Sequence, residues 1–190
     1  MNKLLLITGD LATGKTTFSR ALSQRCGAAV FQKDAIKEIL GDTVGFHNRA
    51  ENKALSVATV AVMTHIFKQT AAFDVPLILE ANFRTDELEK LQSIAAAAGC
   101  AVLTLVLRGD IDVLYARYLH RMNDENRHPV HLSAPLHVRE EFDAYIQALR
   151  RETVPGETIE IDASDFSYQT DEALLARIDR FMRPEAESEE

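Results

Sequence analysis

Apolar residues fall along this chain in two rhythms, short unbroken runs and longer stretches with helical spacing. The unbroken runs lie at 3–8 (Leu4, Leu5, Leu6, Ile7), 28–32, 75–80, 101–107 and 158–162. Such runs predict strands, and the most apolar of them predict strands buried on both faces. Between them the spacing changes. Phe18, Ala21 and Leu22 share one helical face, as do Leu55, Ala58, Val62 and Ile66, then Leu88, Leu91, Ile94 and Ala95, then Ile111, Leu114, Tyr118 and Met122, and last Leu174, Leu175, Ile178 and Met182. The predicted helices cover 16–22, 35–40, 48–73, 85–98, 110–122, 134–151 and 171–182. Strand and helix alternate throughout, which predicts an α/β fold on a parallel sheet with right-handed crossovers.

Punctuation sharpens these bounds. Gly27 and Gly99 stand where helix C-caps are expected, and Thr85 and Asp34 where N-caps are expected. The two glycines within 41–46 predict a loop. Asn123 to His131 is polar and contains Pro129, so it reads as a mobile lid of about 123–134. One domain spanning 1–183 is expected, followed by an acidic, disordered tail at 184–190.

Composition excludes more than it selects. With 190 residues, 46% hydrophobic and 26% charged, the chain is long enough for a real core. No apolar run approaches the ~18 residues of a membrane span, and the N-terminal run is too short for a secretory signal. Cys26 and Cys100 are too few for a disulfide framework and lack metal-ligand spacing, so a reducing, cytoplasmic setting is expected. A formal net charge of −8 argues against general nucleic-acid binding. Nothing in the sequence fixes an oligomeric state.

The first strand leads into Gly9-Asp10-Leu11-Ala12-Thr13-Gly14-Lys15-Thr16, which fits G-x-x-x-x-G-K-[ST]. Glycines let the backbone curl so that successive N–H groups face phosphate oxygens, and the helix that follows adds its positive end. Gly9, Asp10, Leu11, Ala12, Thr13, Gly14, Lys15, Thr16 and Thr17 are therefore the expected nucleotide contacts. Lys15 would reach the β- and γ-phosphates, and the Thr16 hydroxyl would sit on Mg²⁺. Asp34, at the end of the second strand, is either an N-cap or a carboxylate facing the ligand crevice, and both uses are compatible. Glu80 ends the third strand as a Walker-B-type acid, holding Mg²⁺ directly or through water. Beyond it lie Asn82 and Arg84 at the mouth of the sheet. Arg84 either contacts substrate or phosphate or pairs with Asp86 or Glu87 on the surface. Arg49, in the polar start of the long helix, is solvated or faces an acceptor. Arg117 and Arg121, four residues apart, point the same way.

In this order, the phosphate loop, Asp34, Glu80-Ala81-Asn82-Phe83 and Arg117-x-x-x-Arg121 resemble the small P-loop kinases. The group containing polynucleotide-kinase-like, zeta-toxin-like and chloramphenicol-phosphotransferase-like enzymes is the most similar. The resemblance spans all but the acidic tail. It implies a three-layer P-loop fold with a five-stranded parallel sheet of order 2-3-1-4-5, with ATP at the loop and an acceptor cleft over the second and third strands. It also implies that Asp34 accepts the hydroxyl proton and that Arg117 and Arg121 brace adenine and the transferring phosphoryl group. Ala163-Ser164 would lie beside the adenine. Glu80 departs from the pattern, in which this acid is more often Asp. The expected activity is ATP- and Mg²⁺-dependent transfer to a hydroxyl of a small molecule. The alternatives are a polynucleotide or nucleotide-sugar kinase and, from another class, an ATP-binding switch with slow hydrolysis. A guanine-specific GTPase is disfavoured, because Asn-Lys-x-Asp does not occur.

Overall fold

The computed structural model describes residues 2–73, 75–124, 127–132 and 134–183; the expected acidic tail at 184–190 lies outside them. Five strands, β1 (Lys3–Gly9), β2 (Ala29–Gln32), β3 (Leu77–Glu80), β4 (Ala101–Arg108) and β5 (Glu157–Asp162), form one all-parallel sheet in the order β2-β3-β1-β4-β5. The expected order is therefore the observed one. The helices are α1 (Lys15–Cys26), α2 (Lys33–Val44), α3 (Arg49–Thr70), α4 (Thr85–Ala98), α5 (Ile111–Met122), α6 (Arg139–Arg150) and α7 (Glu172–Met182).

The apolar run of β1 explains the layering. Leu4, Leu5, Leu6 and Ile7 are fully buried, and the period-two pleat divides them between the two faces. Leu5 and Ile7 join Phe18 and Leu22 of α1 and Leu175 and Ile178 of α7. Leu4 and Leu6 join Met63 and Phe67 of α3 and Leu88 and Leu91 of α4. A third, smaller cluster packs Leu114 and Tyr118 of α5 on Phe142 and Ile146 of α6, with Ala12 of the phosphate loop against it. The C-terminal ends of β1, β2 and β3 thus open to the side where α2, α5 and the 127–131 segment meet.

Several expected boundaries move, each for a physical reason. The loop expected at 41–46 is largely helix, because α2 runs through Gly41 to Val44. Gly41 is not a breaker here: a Cβ at this position would collide with the Val130 side chain, so its bareness admits a close neighbour. Asp34 is not the N-cap of α2, since Gln32 holds that place and Asp34 lies in the first turn. Thr85 does not cap α4; the cap is Arg84, whose N–H donates to Glu87 (2.8 Å), while the Thr85 hydroxyl is taken by Glu152 (2.6 Å). The helix expected from 134 begins only at Arg139, since Pro135 disfavours helical backbone in the residue before it. Asn48 caps α3 by accepting from the Glu51 N–H (3.0 Å), and the helix ends at Thr70 rather than 73. The segment expected as a mobile lid is docked where it is described. Pro129–His131 forms a 3₁₀ turn with Val130 buried, and Lys37 and Asn52 both donate to the Val130 carbonyl (3.2 and 2.9 Å).

Candidate active site

The loop between β1 and α1 is shaped from several sides. Gly9 (φ +119°) passes so close to Leu107 of β4 that any Cβ would strike its carbonyl. Gly14 (φ +86°) lies against Tyr168 and Phe166, and a Cβ there would come within 2.8 Å of the Tyr168 hydroxyl. Tyr168 donates to the Thr13 carbonyl (2.7 Å), and the Thr13 hydroxyl donates to the Asp10 carbonyl (3.0 Å). Asp10 was expected among the nucleotide contacts, yet its carboxylate turns away from the cleft. It is 1% exposed, receives Arg150 of α6 (2.6 Å) and accepts the Gly109 N–H (3.3 Å). That pair anchors the start of the loop to α6 and to the end of β4. Gly9 likewise shapes the loop from behind rather than lining the cleft.

Lys15 folds back over the loop, donating to the carbonyls of Gly9 (3.3 Å) and Asp10 and to the Thr13 hydroxyl (3.4 Å). Burial pushes its ammonium pKa down, opposed by the carboxylates of Glu80, Asp34 and Asp10. The Thr16 hydroxyl donates to Glu80 (3.2 Å), so the two expected metal-binding groups are adjacent. Burial raises the Glu80 pKa, partly offset by Lys15. Gln32 braces this corner from β2, donating to the Thr16 carbonyl (2.8 Å) and Ser19 hydroxyl (2.7 Å). Among the described residues no cluster of three or more His, Cys, Asp or Glu could hold a metal alone. Mg²⁺ does not require one, since it keeps several waters and shares phosphate oxygens with only one or two protein ligands. Thr16 and Glu80 fit that donor set.

Two cavities meet over the sheet. The first, about 670 Å³, is lined by the loop from Leu11 to Thr17, by Glu80 and Asn82, by Arg117 and Arg121, and by Phe166. The second, about 540 Å³, lies between α2, α3 and the 127–131 segment and includes Arg49, Asn82, Arg84 and Tyr145. Leu11, Asp34, Glu80, Asn82, Arg127 and His131 belong to both walls. One buried donor at this junction, Arg127 Nε, has no hydrogen-bond partner, while Asn82 lies against the Tyr145 hydroxyl. A buried unpaired N–H costs about 1–3 kcal/mol, so this atom fits a site completed by a ligand oxygen.

Both arginines of α5 line the first cavity. Arg117 is held by the carbonyls of Ala163 and Ser164 (both 2.7 Å) and lies 4.1 Å over the Phe166 ring. Ala163 and Ser164, expected beside the nucleotide base, therefore grip Arg117, and Phe166 presents the wall. Arg84 pairs with Glu152 (3.0 Å), not with Asp86 or Glu87. Sequence reasoning passed over Phe166, Arg127, Arg150 and Lys37. Phe166, two residues beyond Ser164, had a signal as an aromatic just past the fifth strand, and Lys37 had one in its place one turn after Asp34. The partners of Arg150 are distant in sequence and left none, and nothing local marked Arg127.

A glycine nest, a buried lysine and a Thr–Glu corner on a 2-3-1-4-5 parallel sheet define a P-loop nucleotide-binding domain. The chain belongs to the AAA_33 family, described as an AAA domain, whose model matches residues 4–149. No curated protein matches the chain. Among solved structures, a kinase candidate from Chloroflexus aurantiacus is 27% identical, with TM-score 0.78, covering 96% of this chain and 99% of that one. A gluconokinase from Sinorhizobium meliloti (16% identity, TM-score 0.57, 95% and 89% covered) shares the fold. So does the tunicamycin resistance protein of Deinococcus radiodurans (20%, 0.57, 94% and 96%). Among the described residues, no helix is long and apolar enough to cross a membrane.

Proposed function

We propose that this protein is an ATP- and Mg²⁺-dependent kinase that transfers the γ-phosphoryl group to a hydroxyl of a small molecule. The observation that carries the reading is Asp34, which stands on the wall common to a cavity over the phosphate loop and a second cavity beside it. The loop amides and Lys15 hold the triphosphate, exchanging Lys15's present carbonyl partners for phosphate oxygens. Phe166, stiffened by Arg117, offers a face to the base. Thr16 and Glu80 would hold Mg²⁺, which would supply positive charge to offset that of the phosphates.

The acceptor enters the second cavity with its hydroxyl toward Asp34. Asp34 accepts the proton as the acceptor oxygen bonds to the γ-phosphorus and the bond to the β-phosphate oxygen breaks, releasing ADP. Arg121 and Arg127 line the first cavity and balance charge on the moving phosphoryl group. Docked over the junction, the 127–131 segment keeps water from competing with the acceptor. Incubation with ATP, Mg²⁺ and panels of alcohol-bearing metabolites, nucleosides and antibiotics, followed by phosphorus NMR, tests this. A phosphate monoester formed along with ADP is the expected product. Inorganic phosphate alone, at a rate no alcohol changes, would instead describe a nucleotide switch.

A further inference from the structure

The second cavity carries a charge opposite to that of the chain. Six Lys or Arg side chains line it against three carboxylates, in a protein of formal net charge −8. Of the carboxylates, Glu80 is engaged by the Thr16 hydroxyl and Glu87 by the Arg84 N–H, while Asp34 lines the cavity at its junction with the first. Among the cations, Arg84 is paired with Glu152, and Lys37 is buried on the neutral oxygens of Asn52 and Val130. Lys33, Arg49 and Lys53 have no ion-pair partner among the described residues.

Their placement concentrates positive charge. Lys33 and Lys37 stand four apart on α2, and Arg49 and Lys53 four apart on α3, so each helix sets like charges on one face toward the same cavity. Burial pushes the Lys37 pKa down, opposed by the Asp34 carboxylate and aided by Lys33. An anion between the two helices would relieve both pairs. Arg127 Nε, buried and without a hydrogen-bond partner on the same wall, adds a donor for its oxygens.

We propose that the second cavity takes small acceptors bearing a carboxylate or phosphate group beside the hydroxyl to be phosphorylated, with the anion held by Lys33, Arg49 and Lys53. This rests on the kinase reading for the hydroxyl, but not for the anion. The cavity volume of about 540 Å³ suits a small molecule. Charge confined to this cleft also keeps an acidic protein selective, since an uncharged alcohol leaves the cations unpaired.

The test fills the phosphate loop with AMP-PNP and Mg²⁺ and titrates three matched polyols by calorimetry: D-glucitol, D-gluconate and D-glucitol 6-phosphate. Both anionic members should bind saturably, more weakly as salt rises, and D-glucitol should not. The tighter of the two identifies the anion as carboxylate or phosphate. Lys53→Ala, checked for an unchanged melting temperature, should weaken anion binding about tenfold, the loss of one charge-assisted hydrogen bond, and Lys53→Arg should restore most of it. Equal binding of D-glucitol, no saturable binding of either anion, or wild-type affinity in Lys53→Ala overturns the proposal. Efficient transfer to neutral alcohols alone would overturn it while leaving the kinase reading intact. Salt-sensitive anion binding with no transfer to any alcohol would leave the anion site standing and overturn the kinase reading.

Discussion

Around the phosphate loop the key polar groups already have partners inside the protein, whereas across Asp34 the second cavity holds cations and a buried donor that have none among the described residues. Asp10 is clamped by Arg150, Thr13 by Tyr168, and Lys15 by the loop's own carbonyls. On the other side, Lys33, Arg49 and Lys53 line the cavity without ion-pair partners among the described residues, and Arg127 Nε, on the shared wall, is unpaired. The first half is pre-organised and needs little rearrangement to meet a nucleotide. The second is left incomplete, so that the right acceptor finishes it. Under the proposed reaction, such a cleft fixes its phosphoryl donor in backbone geometry and its acceptor in side-chain charge.

The contrast breaks most severely at Lys15. Lys15→Ala should reduce phosphoryl transfer about 10³-fold, because a preorganised cation on the transferring group is lost. Circular dichroism should meanwhile show an intact fold; near-normal turnover in coupled ADP release would dissolve the distinction between the halves. Next comes Arg150. Arg150→Ala strands the Asp10 carboxylate in a nearly dry site at a cost of about 3 kcal/mol, lowering the melting temperature by roughly 10 °C. Arg84→Ala, which opens a half-exposed pair with Glu152, should cost less than about 1 kcal/mol. Calorimetric scans of both variants check this, and equal losses would deny that the loop is specially braced. The smallest effect is at Phe166. Removing the ring under Arg117 forfeits ~1 kcal/mol, so Phe166→Ala should raise the ATP KM about fivefold and leave kcat nearly unchanged.

How much of this was legible in the sequence follows the same division. The buried runs of β1 and β4 and the glycine loop are local signals, and the sheet order came with the resemblance that those signals carried. The positions of Glu80 and Asp34 were legible for the same reason, since Glu80 closes β3 and Asp34 lies in the first turn after β2. What escaped depends on contacts between distant segments. Gly41 looked like a breaker, because nothing local reveals that Val130 packs on it. Asp10 looked like a phosphate contact, because its partner lies 140 residues away in α6. The cationic character of the second cavity was hidden likewise: Lys33 and Lys53 belong to different helices, and only the packing of α2 on α3 brings them to one space.

In the proposed mechanism, Asp34 joins the cavities chemically as well as spatially. Asn keeps the shape of Asp and removes its basicity, and Asp34 is not a cap whose loss would unsettle α2. The deciding measurement is acceptor-stimulated ADP release by Asp34→Asn, with ATP affinity and melting temperature taken on the same preparation and the best alcohol from the panel as acceptor. Stability and ATP binding should be unchanged, acceptor-stimulated turnover should fall roughly 10²- to 10⁴-fold, and the slow hydrolysis of ATP by water should change little. Acceptor phosphorylation at the wild-type rate would contradict the mechanism.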